Sequence, residues 1–458
     1  MVTVNAKNFG LISGAQELQH GAIQRAIDHC FLQGGGEVVI PAGQYRTGDI
    51  RIRSNITLRL EPGVHLMGSS DPEDYFNYLS DKLEPLEAYR ITNAPYVHLE
   101  TIHGETAYEE GKPEYRFRRL PGSRWNNAIL RGIDAQNIKI IGCRDSVIDG
   151  MNCFDLQGEE HYRGPHGITL YNCHGVELRG YTIQNTGNWA HWLLFGSNIQ
   201  MAEVQVLAGH DGLDIFDCTN VSVTGCEFYT GDDCVAGFGN INVYLADSIL
   251  NSSCSAMRFG ATNALITRCH MYGPGRYCFR GSLTDAEKAA SAPSQAAGHR
   301  TNMLSAFTYY ADYSMPIPEL PGNICITDCR FDNADRFLHY NFSGNETWQR
   351  YRPLDSIEFR DIIATGVAMP LTAYGREGEE LSLTLRDIQV SLKDTMAAES
   401  FIHAAHFRRL QLENVTVTGK LGCLVKTWSD GDISLKNVTC CAGLEIQKAE
   451  EPFFSNAI

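Results

Sequence analysis

Short runs in which apolar residues take alternate positions recur along most of this chain. The clearest are Asn137-Ile138-Lys139-Ile140, Gly175-Val176-Glu177-Leu178, Asn198-Ile199-Gln200-Met201, Asn220-Val221-Ser222-Val223, Asn240-Ile241-Asn242-Val243 and Asn263-Ala264-Leu265-Ile266. Each opens with Asn or Gly at a turn and then alternates, as a strand does when one face is buried. Counted from Gly175, successive starts lie 23, 22, 20 and 23 residues apart. A period near 22 leaves room for about three short strands per repeat, one coil of a solenoid. The expected fold is therefore all-β, a right-handed parallel β-helix. Later runs at Asn323, Ser356, Leu381, Asn414 and Asn437 carry the pattern toward the end of the chain, so residues 1–458 read as one domain.

The first 70 residues read as an entry module. Val2-Thr3-Val4 has the pattern of a strand. Ala15 to Phe31 has that of an amphipathic helix with Ile23, Ala26 and Ile27 on one face, and Gly34-Gly35-Gly36 ends it. A helix followed by strands is how a solenoid covers the apolar end of its first coil. Two stretches interrupt the repeat. Residues 101–126 are charged and aromatic, with Arg116, Arg118, Arg119, Arg124 and Trp125, and residues 281–322 hold an Ala/Ser-rich piece, His299-Arg300 and Tyr309-Tyr310. Long loops on a rigid scaffold commonly wall a binding site, and both are expected to do so here.

Composition narrows the picture. Gly 43 against Pro 16 suits many short strands and turns, and 43% hydrophobic residues supply a core. A formal charge of −16 excludes nucleic acid and anionic membranes as expected partners. The 15 cysteines are scattered without CxxC pairs, and Cys173, Cys218, Cys226, Cys269 and Cys329 fall at one phase of the repeat. They read as buried free thiols in a reducing compartment, with no zinc site. The N-terminus MVTVNAKNFG lacks a charged segment followed by an apolar run, so a cytoplasmic location is expected. Asn-x-Ser/Thr recurs at Asn55, Asn220, Asn251, Asn414 and Asn437, because the repeat itself writes Asn at a turn before strand residues.

The candidate chemistry lies on one turn. Gly231-Asp232-Asp233 follows Gly209-His210-Asp211 by one period, since 233 − 211 = 22. Residues one period apart stack along the axis, with neighbouring strands roughly 4.8 Å apart. Three carboxylates on one patch repel one another, so one holds its proton near neutral pH, the arrangement used for acid and base work on a sugar bond. Asp214 is a lesser candidate, because three residues along a strand it faces the other way. His210, Asp232, Cys254 and Arg276 form a second column at intervals of 22. Trp189, His191 and Trp192, one coil earlier, are candidates for a sugar-stacking platform.

These residues carry a resemblance. Phe9 to Gly68, with Gly34-Gly35-Gly36-Glu37-Val38-Val39-Ile40-Pro41-Ala42-Gly43-Gln44-Tyr45, resembles the entry module of pectin-lyase-fold glycosidases. Asn185 to Gly260 resembles the catalytic coils of glycoside hydrolase family 28, the polygalacturonases. That resemblance implies Asp232 as general acid, and Asp211 with Asp233 as the base that activates water, with inversion. The chain departs from the family pattern at three places. Gly209-His210-Asp211 stands for Asn-Thr-Asp, Cys254-Ser255-Ala256 for Gly-His-Gly, and Arg276-Tyr277-Cys278-Phe279-Arg280 for a motif containing Arg and Lys. Arg258, Arg276 and Arg280 are expected to take over contact with the sugar, with His210, Trp189 and His191 as further substrate-binding residues.

The expected activity is hydrolysis of oligosaccharides, galacturonides first and other α-linked sugars next, without metal or cofactor. Long loops that close off one end of a cleft suggest exo action. Two alternatives use the same fold: a calcium-dependent polysaccharide lyase with the carboxylates on Ca²⁺ and an Arg as base, and a carbohydrate-binding or adhesin protein without activity.

Overall fold

Alternation decides which side of each strand is buried, and the parallel ladders follow from it. The computed structural model describes residues 2–75, 124–156, 163–289, 298–310, 320–342, 353–394 and 398–449. The chain divides into two compact units: Met1–Asp232 with Tyr277–Arg300, and Asp233–Arg276 with Thr301–Ile458. Both are built of parallel strands paired coil to coil, so the fold is an all-β parallel β-helix.

In the first unit the strands form three parallel ladders. One runs from Val2–Asn5 through Gly36–Ile40, Ile56–Leu60, Gln136–Ile141, His174–Arg179 and Ser197–Ala202 to Thr219–Thr224. A second links Gly43–Thr47, Val64–Gly68, Val147–Asp149, Thr182–Gln184, Gln205–Ala208 and Glu227–Thr230. The third links Ile50–Ile52, Ala128–Ile133, His166–Tyr171, His191–Leu194 and Leu213–Phe216. Register places Val38, Leu58, Ile140, Leu178, Met201 and Val223 in one interior column, and all six are buried. Hydrophobic stabilisation here comes from many such short columns, at about 25 cal/mol per Å² of apolar surface removed from water.

In most runs the opening residue is held in the left-handed region: φ is +54° at Asn137, +54° at Asn198 and +57° at Asn220, while in the run from Asn240 it is Asn242, at +58°, that takes this conformation. Asn tolerates that conformation better than other residues with a side chain. Its amide then reaches the preceding coil, as Asn220 Nδ2 donates to Asn198 Oδ1 at 3.2 Å.

The capping helix spans His20–Leu32, shorter at its start than expected. The Gln19 side chain explains the late start, for it bonds both the N–H and the carbonyl of Ile12 and holds that segment as a loop. Gly34 and Gly35 close the helix as expected, their N–H groups bonding the carbonyls of Phe31 and Cys30. No helix among the described residues is long and apolar enough to cross a membrane.

In the second unit, strands of one coil run on into each other. Ser255–Thr267 pairs through its first half with Met303–Tyr309 and through its second half with Gly322–Asp332. Long strands Ser356–Val367, Leu381–Leu392 and Phe407–Thr418 continue that ladder. All 15 cysteines are free thiols. Cys173, Cys218, Cys226, Cys269 and Cys329 are buried, in keeping with their shared phase in the repeat.

Candidate active site

Gln205–Ala208 and Glu227–Thr230 are consecutive rungs of one ladder, with Ala208 opposite Thr230. The turns that follow them therefore run side by side, and His210 and Asp232 hold the same place on successive coils. Gly231 N–H donates to the Ala208 carbonyl at 2.9 Å, and Thr230 Oγ1 donates to the Asp232 carbonyl at 2.7 Å. The second turn has no room for a side chain at its glycine, and the first has little. A Cβ on Gly231 would lie 2.1 Å from the Cys278 carbonyl oxygen and 2.3 Å from that of Gly209, and one on Gly209 would lie 3.0 Å from Arg280 Cβ. The segment just before the second insertion thus packs onto both turns, where the Arg280 N–H bonds the Gly209 carbonyl at 2.9 Å.

Asp211 is buried, and its carbonyl accepts from Ala190 N–H at 2.9 Å. Asp232 is half-buried. His210 is 1% exposed, and neither ring nitrogen has a hydrogen-bonding partner among the described residues. Phe279 meets its ring edge-on at 5.6 Å between centroids. Burial, with Arg163, Arg280, His166 and Lys288 nearby, holds this imidazole well below its ordinary pKa, so it is neutral.

An aromatic cluster adjoins these turns in the same unit. Trp189 lies 5.1 Å from Trp125 and from Trp192, is stacked on Phe216 at 6.3 Å, and has the Arg163 guanidinium 5.9 Å from its ring centre. Expected as an open platform, Trp189 is instead part of a packed wall. The expectation for His191 is corrected outright. It lies in register with Ile168 and Leu213, an inward position. Its Nδ1 donates to the Gly212 carbonyl at 2.9 Å, and its Nε2 accepts from the Tyr181 hydroxyl at 2.9 Å. Burial lowers its pKa to about 4. No ring nitrogen of His191 is left for a sugar.

Arg280, expected at the sugar, is 4% exposed and binds the side chain and carbonyl of Asn152. Burial brings its pKa down to about 10. Sequence reasoning passed over Arg163 and Lys288, both buried cations. It also ranked Asp214 low, yet this buried carboxylate stands in register with Trp192 and away from the interior column. Alternation within Leu213-Asp214-Ile215-Phe216 was the signal for Asp214, whereas no periodic signal marks the two cations. The Arg-rich part of 101–126 lies outside the described residues, as do 290–297 and 311–319 of the second insertion.

The remaining predicted residues belong to the second unit. Asp233 is 1% exposed, and its Oδ1 accepts from Ser255 N–H at 3.0 Å. Arg258 Nη1 stands 3.9 Å from Asp233 Oδ2, and the same guanidinium lies 4.3 Å from the Tyr310 ring centre. Ser255, which stands where the family pattern has His, therefore serves Asp233 through its backbone. Arg276 is exposed, with its N–H on Asn251 Oδ1 at 2.7 Å.

Residues 101–255 match the model of glycosyl hydrolases family 28. The chain is 24% identical over 241 residues to a probable polygalacturonase of Vitis vinifera, covering 50% of this chain and 43% of that protein. It is 23% identical over 266 residues to an exo-poly-alpha-D-galacturonosidase of Dickeya chrysanthemi, 52% of this chain and 42% of that protein. Its match thus spans less than half the length of these curated relatives. A hyperthermoactive exopolygalacturonase from Thermotoga maritima superposes with a TM-score of 0.57 at 15% identity, over 94% of this chain and 92% of that one. At that identity the likeness is one of fold.

Proposed function

We propose that this chain, a divergent member of glycosyl hydrolases family 28 by its match over residues 101–255, hydrolyses glycosidic bonds. Asp232 is the general acid, and Asp211 with Asp233 activates water, with inversion at the sugar carbon. The observation that supports this reading is the stacking of the two turns, in which the His210-Asp211 turn of one coil runs beside the turn that carries Asp232 on the next. The substrate is an oligosaccharide attacked from one end, a galacturonide in the first instance. The activities of the relatives, a probable polygalacturonase and an exo-poly-alpha-D-galacturonosidase, support that choice. Fifteen free thiols support a reducing compartment, the cytoplasm, as the setting.

The test is a panel of pectic oligosaccharides and aryl glycosides, with the anomer of the first-formed product read by NMR. Asp232→Asn is expected to lower kcat by roughly 10²- to 10⁴-fold while sugar binding and folding persist. Unchanged turnover in Asp232→Asn removes Asp232 as the acid. A product that absorbs in the ultraviolet through a new double bond, and that a chelator abolishes, marks a lyase instead.

A further inference from the structure

We propose that His210 reads a hydroxyl of the bound sugar with its two ring nitrogens, donating through one and accepting through the other. This rests on the hydrolase reading above and adds a specificity residue to it.

A histidine sealed among other residues normally spends both nitrogens on neighbours, as His191 does on Tyr181 and Gly212. His210 is equally buried and spends neither among the described residues. A buried polar atom left without a partner is destabilising, and one that persists calls for an explanation outside the fold. Position supplies that explanation. His210 precedes Asp211 and occupies, one coil earlier, the place that Asp232 takes on the next turn. The ring is held by shape, through the edge contact with Phe279, and the Gly209 turn beneath it is fixed against Arg280. Fixed orientation with unspent donor and acceptor is what a site needs to recognise a hydroxyl, which itself both donates and accepts.

The surroundings decide the charge state. Arg163, His166, Arg280 and Lys288 all bear on the ring from the segments packed around it, and Asp211 follows it in the chain. Four basic side chains and full burial outweigh the adjoining carboxylate, so the imidazole stays neutral across the working range of a histidine. Its partner is therefore a neutral hydroxyl. A carboxylate, which only accepts, would leave one ring nitrogen unpaired.

The experiment uses the full chain and its best glycoside, together with analogues of that glycoside lacking one hydroxyl at a time. In the wild type, removal of one particular hydroxyl is expected to lower kcat/KM by about 10- to 100-fold. His210→Leu is expected to lose a similar factor on the intact sugar and to be indifferent to that same hydroxyl. His210→Gln, which keeps a donor and an acceptor, recovers part of the loss. The ratio of wild-type to His210→Leu rates is expected to be flat from about pH 5 to about pH 8. The proposal is overturned by a wild type that tolerates the loss of every hydroxyl equally, a result that needs no variant to fold. It also falls with a His210→Leu enzyme that keeps full kcat/KM, or with a rate ratio that follows a titration near the ordinary histidine value; in these cases the hydrolase reading stands. A wild type that cleaves no glycoside overturns both.

Discussion

Two histidines nineteen positions apart, since 210 − 191 = 19, show how much a single register position decides. His191 falls on the inward side of its strand and becomes a core residue, whereas His210 falls in a turn and has no partner for either nitrogen among the described residues. Replacing His191 by Leu strands the Tyr181 hydroxyl and the Gly212 carbonyl in the interior. Each such group costs about 1–3 kcal/mol. Chemical unfolding of His191→Leu is therefore expected to show a loss of roughly 2–4 kcal/mol, with KM unchanged. A raised KM at unchanged stability would put His191 back among the substrate contacts. At this scale the sequence was only partly legible. The strand that holds His191 begins at that residue, so the phase that sends it inward depends on where the turn before it ends. The buried cations Arg163 and Lys288 had no signature at all, because their burial comes from packing between segments far apart in the chain.

At the scale of elements, the parallel turns explain why Gly stands at 209 and 231. Cys278 leaves no space for a methyl group at Gly231, and Arg280 crowds one at Gly209. Gly231→Ala is expected to destabilise the protein by about 1–3 kcal/mol and to lower kcat, since the displaced turn carries Asp232. A normal unfolding midpoint together with normal turnover would show that the turn yields without consequence. The repeat was plain in the sequence, for the Asn or Gly that opens each run and the apolar residues after it are set by local backbone geometry and burial. The return of residues 277–283 onto turns 47 residues earlier at Gly231 (278 − 231 = 47) and 71 residues earlier at Gly209 (280 − 209 = 71) was not. A close approach of that kind leaves only an isolated glycine as its trace. Nor did spacing reveal that strands of the second unit fuse across a corner, because the apolar runs look the same whether or not a break separates them.

At the scale of the whole molecule, acid is the condition to which the fold is most exposed. Burial holds His191 at about 4, and burial with Lys426 holds His403 at about 4. Both lie below the unfolded value of about 6.5. The unfolded chain therefore binds protons that the native one does not, and their contribution is complete above about pH 6.5 and declines as pH falls toward 4. For the fully buried His191 the loss is on the order of 3 kcal/mol. Asp332 acts at lower pH: burial pushes its carboxyl up, but bonds from Arg330, Thr365 and His270 outweigh this and hold it at about 2. Its contribution is lost as pH falls from about 4 to about 2. Denaturant midpoints are accordingly expected to fall between pH 6.5 and 4 and to fall further below it. Midpoints that stay level across the upper window would show that these histidines are charged in the native state.

The asparagine rows along the coils bear on another matter, the attachment of glycans. Asn220, Asn414 and Asn437 each stand in an Asn-x-Ser/Thr triplet, and each side-chain amide nitrogen already donates to the residue one coil earlier: Asn198, Asp387 and Asn414. A glycan is joined through that same nitrogen. Linkage would cost the rung its bond to its neighbour, so at these positions the triplet is a by-product of backbone geometry and not a place where a sugar chain belongs.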